Sequence, residues 1–136
     1  MSSNKTIKAR TEQVAARIVN PPAAHPLDHD EHLIFSLRSV QQEFQCKKED
    51  AHLVMGALQR ASEQTWTELT TRAHDKGGME FLPIEKMLRN WPASLGEPPE
   101  RVAVLRFSQR GRIIGMRRAR VFHIVWIDPL HEIYKG

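Results

Sequence analysis

Residues 101–134 read RVAVLRFSQRGRIIGMRRARVFHIVWIDPLHEIY, and this stretch decides the fold. Valine, isoleucine and phenylalanine dominate RVAVLRFS, RIIGMR and VFHIVWI. Turn residues separate these runs at Gln109-Arg110-Gly111 and at Arg118-Ala119-Arg120. Short apolar runs with such brief connections predict antiparallel neighbours in one sheet. Side chains alternate across a strand, so Ala103, Leu105 and Phe107 share one face of the first run. Val102, Val104 and Arg106 share the other, which points Arg106 away from the main core. Asp128-Pro129 breaks the last long run, and HEIY follows.

Upstream, His32–Val40 sets Leu33, Phe35 and Leu37 against His32, Ser36 and Arg38, the period of a half-buried strand that Ile34 blurs. From Lys48 to Ser62 the period changes: Leu53, Ala57, Leu58 and Ala61 fall on one helical face, with Gly56 weakening the helix locally. Thr65-Trp-Thr-Glu68 fits a capping box, which predicts a second short helix with Trp66 and Leu69 turned inward. His74–Gly78 reads as a turn, and Pro83 as the first turn of a brief helix ending by Trp91-Pro92. A loop spans Ser94–Glu100. The predicted class is α+β: an N-terminal strand, a helical hairpin, then a curved antiparallel β-sheet of three to four strands.

At 136 residues the chain has room for one domain. Pro21, Pro22 and Pro26 sit among small and polar residues. Residues 1–31 are therefore expected to be a partly mobile extension, despite a weak helical signal at Thr11–Val19, and 32–136 the domain. No apolar run approaches the roughly 18 residues needed to cross a bilayer, and the N-terminus lacks a secretory apolar stretch, so a cytoplasmic protein is expected. Cys46 stands alone and suits neither an internal disulfide nor a structural zinc site. The net charge of +4 is unevenly spread. Residues 101–136 hold seven arginines and Lys135 against Asp128 and Glu132, a surplus of six, which leaves the first 100 residues at −2. Such concentration suits a phosphate-binding face, and an acidic protein partner equally.

Arg106, Arg110, Arg112, Arg117, Arg118 and Arg120 lie on or between the basic strands. A planar guanidinium can hold two phosphate oxygens at once, so these six are candidate RNA contacts. The bland alternative is that they keep a strand surface soluble and its edge unpaired. His123 shares parity with Val121 and Val125 and reads as a half-buried structural histidine. His131, Glu132 and Tyr134 bring imidazole, carboxylate and phenol within four residues, although His131 and Tyr134 need a bend to share a face. RNA cleavage without metal needs a group to take the 2′-hydroxyl proton, one to protonate the leaving 5′-oxygen, and cations for the crowded phosphate. His131, Tyr134 and Arg112 are the candidate catalytic residues; an exposed edge strand is the competing reading of HEIY. His25, Asp28-His29-Asp30 and His32 suggest a metal site only weakly, because no ligand spacing matches a known type.

The 101–134 pattern of basic strand, hairpin, Arg-led strand, apolar strand and terminal tyrosine resembles the final strands of RelE/HigB-type toxins. HLIFSLRSV resembles that family's first strand, and KKEDAHLVMGALQRAS with TWTEL its helical hairpin, so the likeness covers roughly residues 31–134. The resemblance implies a toxin-type endoribonuclease that acts on RNA, including ribosome-bound mRNA, by metal-independent 2′-hydroxyl attack. No cofactor is implied, and a cognate antitoxin is. In the resemblance Arg106 matches a phosphate-binding basic position on the first hairpin strand, Arg112 the arginine before the apolar second strand, Tyr134 the terminal tyrosine, and His131 a basic or histidine position. A long N-terminal extension and the Asp128-Pro129 interruption depart from the family pattern. They keep a second expectation open, a non-catalytic nucleic-acid-binding or adaptor subunit with the same fold.

Overall fold

A computed structural model describes residues 31–41 and 46–135 of the chain. Five strands form one sheet: β1 (Ile34–Ser36), β2 (Met79–Pro83), β3 (Arg101–Arg106), β4 (Arg112–Arg118) and β5 (Val121–Asp128). Their order is β1-β5-β4-β3-β2. The basic C-terminal stretch supplies the central β3-β4-β5 meander, antiparallel throughout. The fold is α+β, but the sheet has five strands rather than three or four, and it is mixed because β1 runs parallel to β5. The additional strand, β2, pairs antiparallel with β3 from Met79↔Leu105 to Pro83↔Arg101. Pro83 therefore ends a strand instead of opening a helix, and only a 3₁₀ turn, Ile84–Lys86, follows it.

Among the described residues two α-helices pack on one face. Helix α1 (Lys48–Ser62) has the expected bounds but buries Val54 with Ala57, Leu58 and Ala61, while Leu53 is left 42% exposed. Helix α2 (Trp66–Thr71) starts at the expected capping box: the Glu68 N–H donates to Thr65 Oγ1 at 3.2 Å, and the Thr65 N–H to Glu68 Oε1 at 3.0 Å. Leu69 beneath it is fully buried. These side chains close over Ala103, Leu105, Phe107, Ile113, Phe122 and Ile124, which is one parity class of the meander.

The opposite face is also covered. Val102, Val104, Ile114, Val125 and Trp126 pack there against Leu82, Met87, Leu95, Ile133 and Tyr134. Trp91 meets Trp126 edge-on with centroids 5.9 Å apart. A second core thus occupies the side to which the alternation assigns Arg106, under residues 84–95 and the C-terminal tail.

Between Ile114 and Gly115 the β4-β5 register shifts, from Ile114↔Trp126 to Gly115↔Ile124. Val125 is the extra residue of a β-bulge, and both Val125 and Trp126 enter the second core. The freed Val125 carbonyl accepts from the Gln41 N–H at 2.8 Å. Gly115 is required here, since a Cβ would lie 2.1 Å from the His123 carbonyl oxygen.

β1 is shorter than the His32–Val40 reading, because Ser36 Oγ accepts from the Arg38 N–H and a turn from Leu37 to Val40 leaves Leu37 59% exposed. HEIY is not a strand: it follows a turn and makes one isolated bridge, Met87↔Tyr134. The expected extension, apart from Glu31, lies outside the described residues, as do the Thr11–Val19 signal, His25 and Asp28-His29-Asp30. Among the described residues no helix is long and apolar enough to cross a membrane. No group of three His, Cys, Asp or Glu among them could hold a metal ion. His32 Nδ1 lies 2.9 Å from the Ser62 carbonyl oxygen.

Candidate functional site

The second face carries a polar row where β3 ends and β4 begins. Register places Arg106 opposite Arg112, and Arg112 opposite Asp128, so the three stand side by side across β3, β4 and β5. Arg112 is only 7% exposed, and a buried cation needs acceptors. Its Nη1 finds them in the turn that precedes its strand, donating to the carbonyls of Gly111 at 3.0 Å and Gln109 at 3.2 Å, with Ser108 at 3.5 Å. Arg106 is half-buried, and its Nε is sealed from solvent without a hydrogen-bond acceptor.

Asp128 turns the tail onto this row. Its carboxylate accepts from the Glu132 N–H at 2.9 Å and the Ile133 N–H at 2.8 Å, which folds residues 128–133 back toward the sheet. His131 adopts φ 58°, the left-handed region in which histidine is tolerated better than branched residues. The bend sets the His131 and Tyr134 rings edge-on, with centroids 4.5 Å apart and an interplanar angle of 83°. A main-chain bond from Leu88 N–H to the Ile133 carbonyl, 2.7 Å, fastens the end of the tail.

Tyr134 is 6% exposed. Burial pushes its phenol above the usual tyrosine value of 10.0, against the pull of the adjoining Arg112 guanidinium. The Glu80 carboxylate adds to the rise, and the charge of Arg106 opposes it. At neutral pH the phenol therefore keeps its proton, while its oxygen accepts from the Arg112 guanidinium. Glu80 was not among the candidates read from the sequence. Its register partner, Val104, belongs to the second core, which sets the carboxylate on the same face as the arginine pair. MEFLP does not alternate cleanly, since Phe81 and Leu82 are both apolar, and the face that Glu80 takes is set by the register of β2 on β3.

The six arginines divide between the two ends of β4. Arg106, Arg110 and Arg112 lie near the tail, with Arg110 Nη2 3.5 Å from the Leu130 carbonyl oxygen. Arg117, Arg118 and Arg120 lie at the β4-β5 turn, about 20 Å away at the rise of an extended strand. Arg117 sits over the Trp66 ring, 4.6 Å from its centroid, and 3.6 Å from Glu31. Arg118 donates to the Leu95 carbonyl, and Arg120 pairs with Glu31 at 2.7 Å. Protein groups thus engage this second trio, and Arg117 faces the helices whereas Arg118 faces the second core's covering segment. His123 is half-buried as expected. Desolvation, then the Arg118 charge, lower its pKa below 6.5, and its Nδ1 is sealed without a partner.

Comparison with known proteins finds no family model, curated protein or solved structure that matches this chain. The site's chemistry therefore rests on its own geometry: two guanidiniums for an anion, a phenol held in its protonated form, a half-exposed imidazole against it, and a carboxylate on the same face.

Proposed function

We propose that the chain is a RelE-like toxin, a metal-independent endoribonuclease acting in the cytoplasm on RNA, including ribosome-bound mRNA, and restrained by a cognate antitoxin. The observation that carries the reading is the packing of His131 on Tyr134 beside Arg112 and Arg106, residues far apart in the sequence. In the proposed reaction Glu80 accepts the 2′-hydroxyl proton as that oxygen attacks the adjacent phosphorus. Arg106 and Arg112 stabilise the phosphorane charge, and His131 or Tyr134 protonates the departing 5′-oxygen. The products are a 2′,3′-cyclic phosphate and a 5′-hydroxyl end. Arg110 extends the anion-binding side, while Arg117, Arg118 and Arg120 would bind RNA only as a separate, distant contact.

The test is incubation of the purified chain with RNA, with and without ribosomes, followed by mapping of new ends and by growth measurement on expression. Cutting that disappears in the Tyr134→Phe/His131→Ala double variant bears the reading out; intact RNA under every condition ends it. One observation favours a second reading. Tyr134 and Arg112 are 6% and 7% exposed, so a non-catalytic nucleic-acid-binding adaptor with this fold would keep them for stability. That protein would bind RNA equally well with or without the double substitution.

A further inference from the structure

A cleft of about 690 Å³ opens on the helix-bearing face, between the C-terminal end of α1, the segment around His74–Lys76 and the β3-β4 turn. We propose that this cleft is a nucleotide-binding subsite that prefers bases bearing an exocyclic amino group. The volume is ample for one nucleotide. Arg60, Arg72 and Lys76 line it against Glu63 and Asp75, a cationic surplus suited to a phosphate. Leu105 and Phe107 form an apolar wall for a base.

Gln64 supplies the selectivity. The residue is 9% exposed, and Nε2 donates to the carbonyls of Arg60 and Gly77 at 3.4 and 3.5 Å, which fixes which end of the amide is oxygen. Oε1 is buried and accepts no hydrogen bond. An unfilled buried acceptor is costly, and the two long bonds hold the amide weakly. A small turn of the terminal amide brings Oε1 to the cleft, where an amino group of adenine, cytosine or guanine satisfies it. Uracil carries no such donor in its place.

The assignment of this ligand as part of an RNA strand rests on the proposed ribonuclease reading, since the cleft and the arginine pair share one turn. Ser108 and Gln109 line the cleft, and their carbonyls face the Arg112 guanidinium. An RNA strand crossing that turn would place one nucleotide in the cleft and the next phosphodiester at Arg106 and Arg112.

Calorimetric titration of the full chain with AMP, CMP, UMP and inorganic phosphate tests the subsite. AMP and CMP are expected to bind about tenfold more tightly than UMP, the worth of one hydrogen bond at 1.4 kcal/mol per decade. Phosphate alone should bind more weakly still. Gln64→Leu should bring AMP down to the level of UMP, and exposed-site Arg72→Ala/Lys76→Ala should weaken all nucleotides, with circular dichroism confirming the fold of each variant. Equal binding of AMP, UMP and phosphate, or no binding at all, overturns the subsite. So does nucleotide binding that the exposed-site variant leaves unchanged, whether or not Gln64→Leu folds. RNA cutting that persists without nucleotide discrimination removes the subsite alone, whereas discriminating nucleotide binding with uncut RNA removes the ribonuclease reading alone.

Discussion

The Asp128 carboxylate lies 2.8 Å from the Ile133 backbone nitrogen and accepts a hydrogen bond from its N–H, and through this bond the end of the chain is held on the sheet. Asp128 is 3% exposed and serves a second tail amide as well. Asp128→Ala should therefore cost about 1–3 kcal/mol, the penalty for stranding buried amides. Asp128→Asn, which keeps one acceptor oxygen, should cost less. Urea unfolding of the three proteins measures both.

Tyr134→Phe removes one oxygen from a packed ring and leaves the edge-on packing with His131 in place. If the phenol donates a proton in catalysis, cleavage should fall by about 10²- to 10⁴-fold, as for loss of a general acid. The raised phenol pKa has its own signature. The folded chain holds the proton more tightly than the unfolded one, so the stabilisation is fully present below pH 10 and is lost as pH rises toward the folded value. Alkaline unfolding of the wild type should show that decline above about pH 10, and Tyr134→Phe should lack its contribution.

His123 acts in the opposite sense. Its folded pKa lies below 6.5, so its contribution is present above that pH and is lost as pH falls through the folded value. Stability measured from neutral pH downward should decline below about 6.5 by this group's share. His123→Gln should flatten that portion of the profile, and an unchanged slope would count against desolvation of the imidazole.

The two arginine trios should separate in RNA binding. Arg106→Ala/Arg110→Ala should reduce the slope of log affinity against log salt by about one for each phosphate that is no longer neutralised. Arg118→Ala/Arg120→Ala, whose guanidiniums engage Leu95 and Glu31, should leave that slope nearly unchanged. Filter binding across a salt series distinguishes them.

The alternation in 101–128 is legible because each parity class packs on its own side of the sheet: Ala103 and Leu105 under the helices, Val102 and Val104 against the second core. The capping box of α2 is legible because both partners lie within one turn. β2 is not, since its five residues follow a Gly-Gly turn and end in a proline, and their pairing partner begins beyond residue 100. The division of the arginines is equally hidden. Arg112 and Arg118 share a parity, and only their distance along β4 and the acceptors nearby separate them. Sequence proximity suggested His131 with Tyr134, but the left-handed residue that lets them meet, and Glu80 beside them, depend on contacts across the fold.

Gly115→Ala tests the narrowest passage in the sheet. A methyl group there meets the His123 carbonyl at 2.1 Å and the Phe122 ring at 2.7 Å, atoms of backbone and sealed core that have little room to retreat. A loss of about 3 kcal/mol or more is expected by thermal or urea unfolding, at the upper end of overpacking penalties.

The extra residue at Val125 decides which side of the sheet receives the chain terminus. Strict alternation from His123 would carry Ile127 to the Tyr134 side and send Asp128 beneath the helices; one unpaired position exchanges them. Drawing Val125 into the ladder opposite Ile114 would invert that phase, withdraw the anchoring carboxylate, and leave the imidazole and phenol with no guanidinium to approach, whereas deleting Val125 should keep Arg112 opposite Asp128. A single surplus residue thus acts as the selector that brings chemistry from the end of the chain to charges laid down on two earlier strands.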